Sequence, residues 1–133
     1  MKKNRLRSFL RLLPALLLIS CFAIAESESG WEKKVPDSDR TRSNPVANDA
    51  AAVIDGGKLY AAKCAKCHGD HAEGKGHHPS LRTEKVQNAT PGELEWLIDH
   101  GNRWHGMPGF GSLPETQRWQ LVSYVKSLRV QSK

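Results

Sequence analysis

The sequence predicts an all-α domain of three main helices joined by glycine-rich loops. Apolar residues recur at helical spacing in three stretches after residue 48, two of those stretches open on capping tetrapeptides, and none alternates in the manner of a strand. The first helix is expected from about Asp49 to Lys63, where Val53, Gly56 and Tyr60 fall at i, i+3 and i+7. The second opens at Thr90-Pro91-Gly92-Glu93, a capping box in which the threonine accepts a backbone N–H and the glutamate reaches back. Leu94, Leu97 and Ile98 form its apolar stripe, and Gly101 ends it with His100 in the last turn. Ser112-Leu113-Pro114-Glu115 reads as a second capping box, opening a helix whose stripe is Leu121, Tyr124, Val125 and Leu128. The connecting loops, Gly69 to Gln87 and Gly101 to Gly111, hold four glycines between residues 101 and 111 alone. Three short helices with such loops bury little surface, so something else is expected to fill the core.

The first 25 residues read as a leader and are set apart from the fold. Lys2, Lys3, Arg5, Arg7 and Arg11 precede an apolar run from Leu12 to Ala25. Fourteen residues of helix reach only about 21 Å, short of a ~30 Å hydrocarbon core, as in a secretory signal rather than an anchor. Ala23-Ile24-Ala25 before Glu26 suits ordinary cleavage, while Leu18-Ile19-Ser20-Cys21 resembles a lipobox that would lipidate Cys21. Either route carries the chain across a membrane, to the periplasm. A membrane attachment is expected only if Cys21 is lipidated. Five of the 20 basic residues lie in this leader; without it 15 basic residues face 14 acidic ones, a net of +1. The basic excess is thus the leader's, which excludes nucleic acid as the default partner of the remaining chain. Residues 26–48, with Gly30, Pro36 and Pro45 among many polar residues, read as a tail or linker, leaving 49–133 as the domain. Trp31 is the exception and is expected to pack on that domain.

Cys64-Ala65-Lys66-Cys67-His68 carries the chemistry. The spacing C-x-x-C-H is the attachment pattern of haem c. Two thiols three positions apart lie on one side of a helical turn, where each can add to a haem vinyl group as a thioether. The histidine that follows can ligate the iron. A dithiol of the thioredoxin kind needs a βαβ setting, for which there is no strand signal. A zinc site needs four ligands; His71, His77, His78, His100 or His105 could supply some, though each reads more simply as a solvated or capping histidine. Of two methionines, Met1 lies in the leader, so Met107 is the remaining thioether. It stands 39 residues beyond His68 in Gly106-Met107-Pro108-Gly109, a loop suited to a backbone held close to a flat cofactor and unsuited to a core filler. Met107 is therefore the expected sixth ligand of the iron, with His105 as its competitor.

On these motifs the chain, from about Ala50 to Leu128, resembles the class I mono-haem c-type cytochromes of bacteria. The resemblance implies that Gly56 and Tyr60 cross Leu121 and Tyr124 of the last helix, the glycine allowing close approach. It implies that the Pro79 carbonyl, in His78-Pro79-Ser80-Leu81, accepts a hydrogen bond from His68. The cofactor set is then one haem c attached through Cys64 and Cys67, with His68 and Met107 as the iron ligands. The implied function is a single-electron carrier that does no bond chemistry, exchanging electrons with a dehydrogenase, an oxidase or another cytochrome. Two further roles are an accessory haem subunit docked on such an enzyme, with Trp31 as a contact residue, and an open-site peroxidase or gas sensor, which Met107 ligation would close. Trp96, Trp104 and Trp119 are expected as pocket walls or interhelix packing, and Arg82 and Arg103 are candidates to pair haem propionates.

Overall fold

The computed structural model describes residues 30–129; the leader expected at 1–25, with Cys21, lies outside them. A 3-10 turn, Glu32–Lys34, and a short helix α1, Asp37–Arg40, precede α2, Ala50–Lys63. The single turn α3, Ala65–His68, follows at once. A long loop leads to α4, Glu84–Asn88, and α5, Pro91–His100, and a second loop, with a 3-10 turn at Arg103–His105, leads to α6, Glu115–Ser127. Among the described residues there is no strand, only isolated bridges between Lys75 and His78 and between Asn102 and Met107.

Two of the three main helices are capped by side chains, the second of them as the sequence predicts. Asp49 caps α2 by accepting the Ala51 N–H at 2.8 Å. At α5 the Glu93 N–H donates to Thr90 Oγ1 (3.2 Å) and the Thr90 N–H to Glu93 Oε2 (2.7 Å), a complete capping box. The box expected at Ser112 does not form: Pro114 is the N-cap of α6 and no side chain caps it. Glu115, which should reach back, accepts instead from Trp119 Nε1 at 3.2 Å and is paired with Arg42. Proline's fixed φ, here −52°, starts the helix in its place.

The frame is the crossing of α2 and α6. Gly56 is buried there, and a Cβ at this position would lie 2.0 Å from the Gln120 carbonyl oxygen and 3.0 Å from Tyr124 Cβ. The backbones touch because no side chain separates them. One turn on, the Tyr60 and Tyr124 rings meet at 5.0 Å. Tyr60, Ala65, Ala72 and Leu121 make the core on this side. A second core, on the far side of α6, joins Leu94 of α5 to Trp119, Val122 and Val125.

Trp31 and Val35 complete that second core, 6% and 4% exposed. From Trp31 onward the polar tail expected over 26–48 is thus a strap bound to the domain, and Trp31 packs as expected. Its arginines find partners on α5 and α6. Arg40 pairs with Glu93, Arg42 Nη1 reaches Glu95 Oε2 at 2.8 Å, and the Arg42 guanidinium lies 5.0 Å from the Trp119 ring centre. Asn44 Nδ2 donates to the Trp119 carbonyl (3.1 Å) and to Ser123 Oγ (2.9 Å). Removing a buried indole costs about 3–5 kcal/mol. Trp31→Ala is accordingly expected to lower the unfolding free energy of the haem-loaded protein by about 3 kcal/mol in a denaturant titration. A free tail would lose less than about 0.5 kcal/mol.

Candidate functional site

The Cys64–His68 segment is wound tightly by its own backbone. Cys64 ends α2, and its carbonyl accepts the N–H groups of Cys67 (3.0 Å) and His68 (2.9 Å). This single turn sets Cys64, Cys67 and His68 side by side. Both thiols are free and half-buried. Burial, with Cys67 beside it, pushes the Cys64 thiol up to about 11.

His68 is oriented from two sides. The chain leaves α3 at Gly69 with φ +84°, and the buried Tyr60 Oη donates to the Gly69 carbonyl at 2.6 Å. The following loop folds back on itself: Gly74 N–H donates to the His68 carbonyl (2.8 Å), and Lys75 and His78 exchange two N–H···O bonds (3.1 and 3.0 Å). Ser80 Oγ and the Leu81 N–H both bond the Ala72 carbonyl, at 3.0 and 2.9 Å. The Pro79 carbonyl is thereby held 2.9 Å from His68 Nδ1. With Nδ1–H donating to that carbonyl, Nε2 is the nitrogen left to bind a metal. Gln87, which nothing in the sequence pattern singles out, props the end of the same loop by donating to the carbonyls of Leu81 (2.7 Å) and Val125 (3.0 Å). The His77 and His78 rings pair at 4.1 Å; burial, then His77 and His68, hold His78 below its ordinary value.

Met107 stands half-buried in the second loop. It exchanges two backbone hydrogen bonds with Asn102, at 2.9 and 3.1 Å, which closes the loop at its tip. At its root Gly101 turns with φ +74°, and a Cβ there would lie 2.5 Å from Gly109 N and 2.6 Å from the Met107 carbonyl. Only glycine permits that turn and that contact together. Arg103, Gly106, Met107, Pro108 and Gly109 line an open cleft of about 360 Å³. The competing donor His105 is exposed, its Nδ1 3.2 Å from Asn102 Oδ1. Arg82 Nε donates to the His71 carbonyl at 2.7 Å. Trp119 is interhelix packing, as expected, and Trp96 stacks on His100 at 4.3 Å. Trp104 is 89% exposed and takes no part in helix packing.

The donor set fits a haem c. Two free thiols lie on one turn, an adjacent imidazole keeps one nitrogen open, and the thioether stands over a cleft. Among the described residues no three of His, Cys, Asp and Glu gather as a metal cluster, and the βαβ setting of a redox dithiol is not there either.

The chain is similar to known proteins. The family model for "Cytochrome C oxidase, cbb3-type, subunit III" matches residues 51–125. The quinohaemoprotein alcohol dehydrogenase ADH-IIG of Pseudomonas putida is 37% identical over 82 residues, 59% of this chain and 11% of that protein. The solved cytochrome cL of the marine methylotroph Methylophaga aminisulfidivorans MPT superposes with a TM-score of 0.59 at 29% identity, over 67% of this chain and 61% of that one. Cytochrome cL of Hyphomicrobium denitrificans gives 0.56 at 23% identity over 74% and 66%, a likeness of fold. The chain thus spans less than two thirds of each of these three relatives.

Tyr60→Phe keeps the ring against Tyr124 and leaves the Gly69 carbonyl with the Ala72 N–H, at 3.2 Å, as its remaining donor. Losing one such hydrogen bond from an acceptor that keeps another donor costs about 0.5–1.5 kcal/mol. Stability of the haem-loaded variant should fall by that much, read from its denaturation midpoint.

Proposed function

Because the chain belongs to the cytochrome c family described as cytochrome c oxidase, cbb3-type, subunit III, and is a mono-haem cytochrome c of class I, we propose that it carries single electrons between redox proteins. The observation that carries this is the 2.9 Å bond from His68 Nδ1 to the Pro79 carbonyl, on the turn that also bears two free thiols. When bound, the haem supplies an iron that cycles between Fe(III) and Fe(II) by one electron. Cys64 and Cys67 would hold it covalently, His68 would offer Nε2, and Met107 would offer sulfur as the sixth ligand. The Pro79 carbonyl keeps the His68 ring from turning and makes it a stronger donor. A thioether favours the ferrous state more than a second imidazole would, so the reduction potential is relatively high. His68 and Met107 would together leave the metal no open position for a substrate, which supports a carrier rather than an enzyme.

A second reading is favoured by one finding: part of a quinohaemoprotein dehydrogenase matches this chain at 37% identity. The domain then works docked on a dehydrogenase or an oxidase. Trp31 is not the docking residue, because it is buried in the protein's own core. The exposed Lys63, Lys66 and Lys75 flank the haem-bearing turn and its loop and suit an acidic partner. The leader supports export to the periplasm, with cleavage before Glu26.

Ligation is tested at Met107. The ferric protein should show the weak long-wavelength absorption of iron bonded to thioether sulfur. Met107→Ala should abolish it, lower the potential and let carbon monoxide bind the ferrous protein readily, whereas His105→Ala should leave all three unchanged. Wild-type protein that binds carbon monoxide as fast as Met107→Ala would sink the carrier reading. Export is tested by intact mass: a chain starting at Glu26 is expected, and a diacylated Cys21 start would place the protein on a membrane surface instead.

A further inference from the structure

We propose that Arg118 is the positioning residue of the Met107 loop. The inference rests on Met107 ligation. Arg118 lies on the first turns of α6 with its side chain 13% exposed. Its three nitrogens reach three different places. Nη1 donates to the Leu113 carbonyl at 2.6 Å, where the loop ends. Nη2 faces Asp99 Oδ1 at 3.4 Å, next to where the loop begins. Nε donates to Glu95 Oε1 at 2.7 Å, and the other oxygen of that carboxylate takes Arg42 of the strap at 2.8 Å. One planar guanidinium thus spans both roots of the loop and is itself braced on a buried carboxylate.

The loop between those roots is a closed unit. Asn102 and Met107 are bonded to each other, and the Phe110 N–H donates to the Ile98 carbonyl at 2.8 Å. Gly109 lies under the end of α5, where a Cβ would sit 2.6 Å from the Asp99 carbonyl oxygen. Asp99 Oδ2 faces His100 Nδ1 at 3.1 Å, so its Oδ1 is the oxygen turned to Arg118. A stiff loop held at its two ends moves as a body when an end is released. Arg118 therefore sets how often the Met107 sulfur leaves the iron, without touching the iron itself.

Carbon monoxide binding to the ferrous protein reads that opening, because the ligand enters only when the sulfur is away. Arg118→Gln should raise the binding rate about tenfold, the size that losing a charge-assisted hydrogen bond produces. It should also weaken the thioether absorption of the ferric protein and lower the potential. Arg118→Lys keeps the charge but not the fork, and Asp99→Asn loosens one root only; both should shift the rate the same way by less. Either milder variant carries the test if Arg118→Gln takes up no haem. Arg40→Gln is the control: it breaks the strap's pair with Glu93, away from the loop, and should lower the melting temperature with the rate unchanged. Thioether absorption in wild type together with wild-type rates in the Arg118 and Asp99 variants would overturn the inference alone. So would a rate that rises equally in Arg40→Gln, which would mark a merely structural role. Absence of the absorption from wild type would overturn Met107 ligation and the inference with it.

Discussion

Gly56 lies so close to the α6 backbone that a Cβ there would come within 2.0 Å of the Gln120 carbonyl oxygen. Both halves of the site hang from that contact. On α2 it fixes Tyr60 one turn along, and Tyr60 in turn holds the Gly69 carbonyl at the exit of the haem-binding turn. On α6 it fixes the helix whose Arg118 reaches the roots of the Met107 loop. The loop bearing Pro79 and the loop bearing Met107 are far apart in sequence and share one helix pair as their reference. A bulkier residue at 56 would part the helices and displace both.

The polar interior sets the arrangement more than it sets the stability. Glu93 and Glu95 are buried on α5, and each takes an arginine from the strap, Arg40 and Arg42 respectively. The shared spacing of two residues lets the strap dock in one register. Desolvating such charges costs several kcal/mol per ion, which their attraction roughly offsets, while breaking a pair costs about 3–5 kcal/mol. A slipped strap would leave carboxylates unpaired inside the protein, so wrong registers are excluded more strongly than the right one is favoured. The strap lies outside residues 51–125, where the family model matches.

Electron transfer asks for a site that changes little between two oxidation states. Here rigidity comes from backbone bonds rather than from a large core. The Lys75–His78 and Asn102–Met107 bridges each close a loop next to a residue of the site. Glycine makes these loops possible by taking positive φ at 69, 74, 76, 101 and 106. Loops closed in this way keep an imidazole and a thioether in place at low cost in buried surface.

The sequence by itself determined the main helices and which residues are candidates for the chemistry. Cys64, Cys67 and His68 are legible because attachment requires that spacing on one turn, whatever surrounds it. The helices at Ala50, Pro91 and Glu115 are legible because periodicity and the Thr90 box act over a few residues. Local signals failed where a distant partner competed for a side chain. Glu115 reads as half of a capping box, and Arg42, 73 residues away, takes it. The strap reads as a polar tail because Glu93 and Glu95, the buried carboxylates that dock its arginines, lie 53 residues further along the chain. Tyr60 is legible as a packing ring, but the use of its hydroxyl is not, since Gly69 comes within reach only after α3 has turned. Arg118 gives no sequence signal at all, because the Leu113, Asp99 and Glu95 oxygens converge on it only when α5 and α6 are packed. Spacing decided which residues could hold a haem, and tertiary packing decided what holds those residues still, because hydrogen bonds across the fold depend on positions that no local stretch of chain specifies.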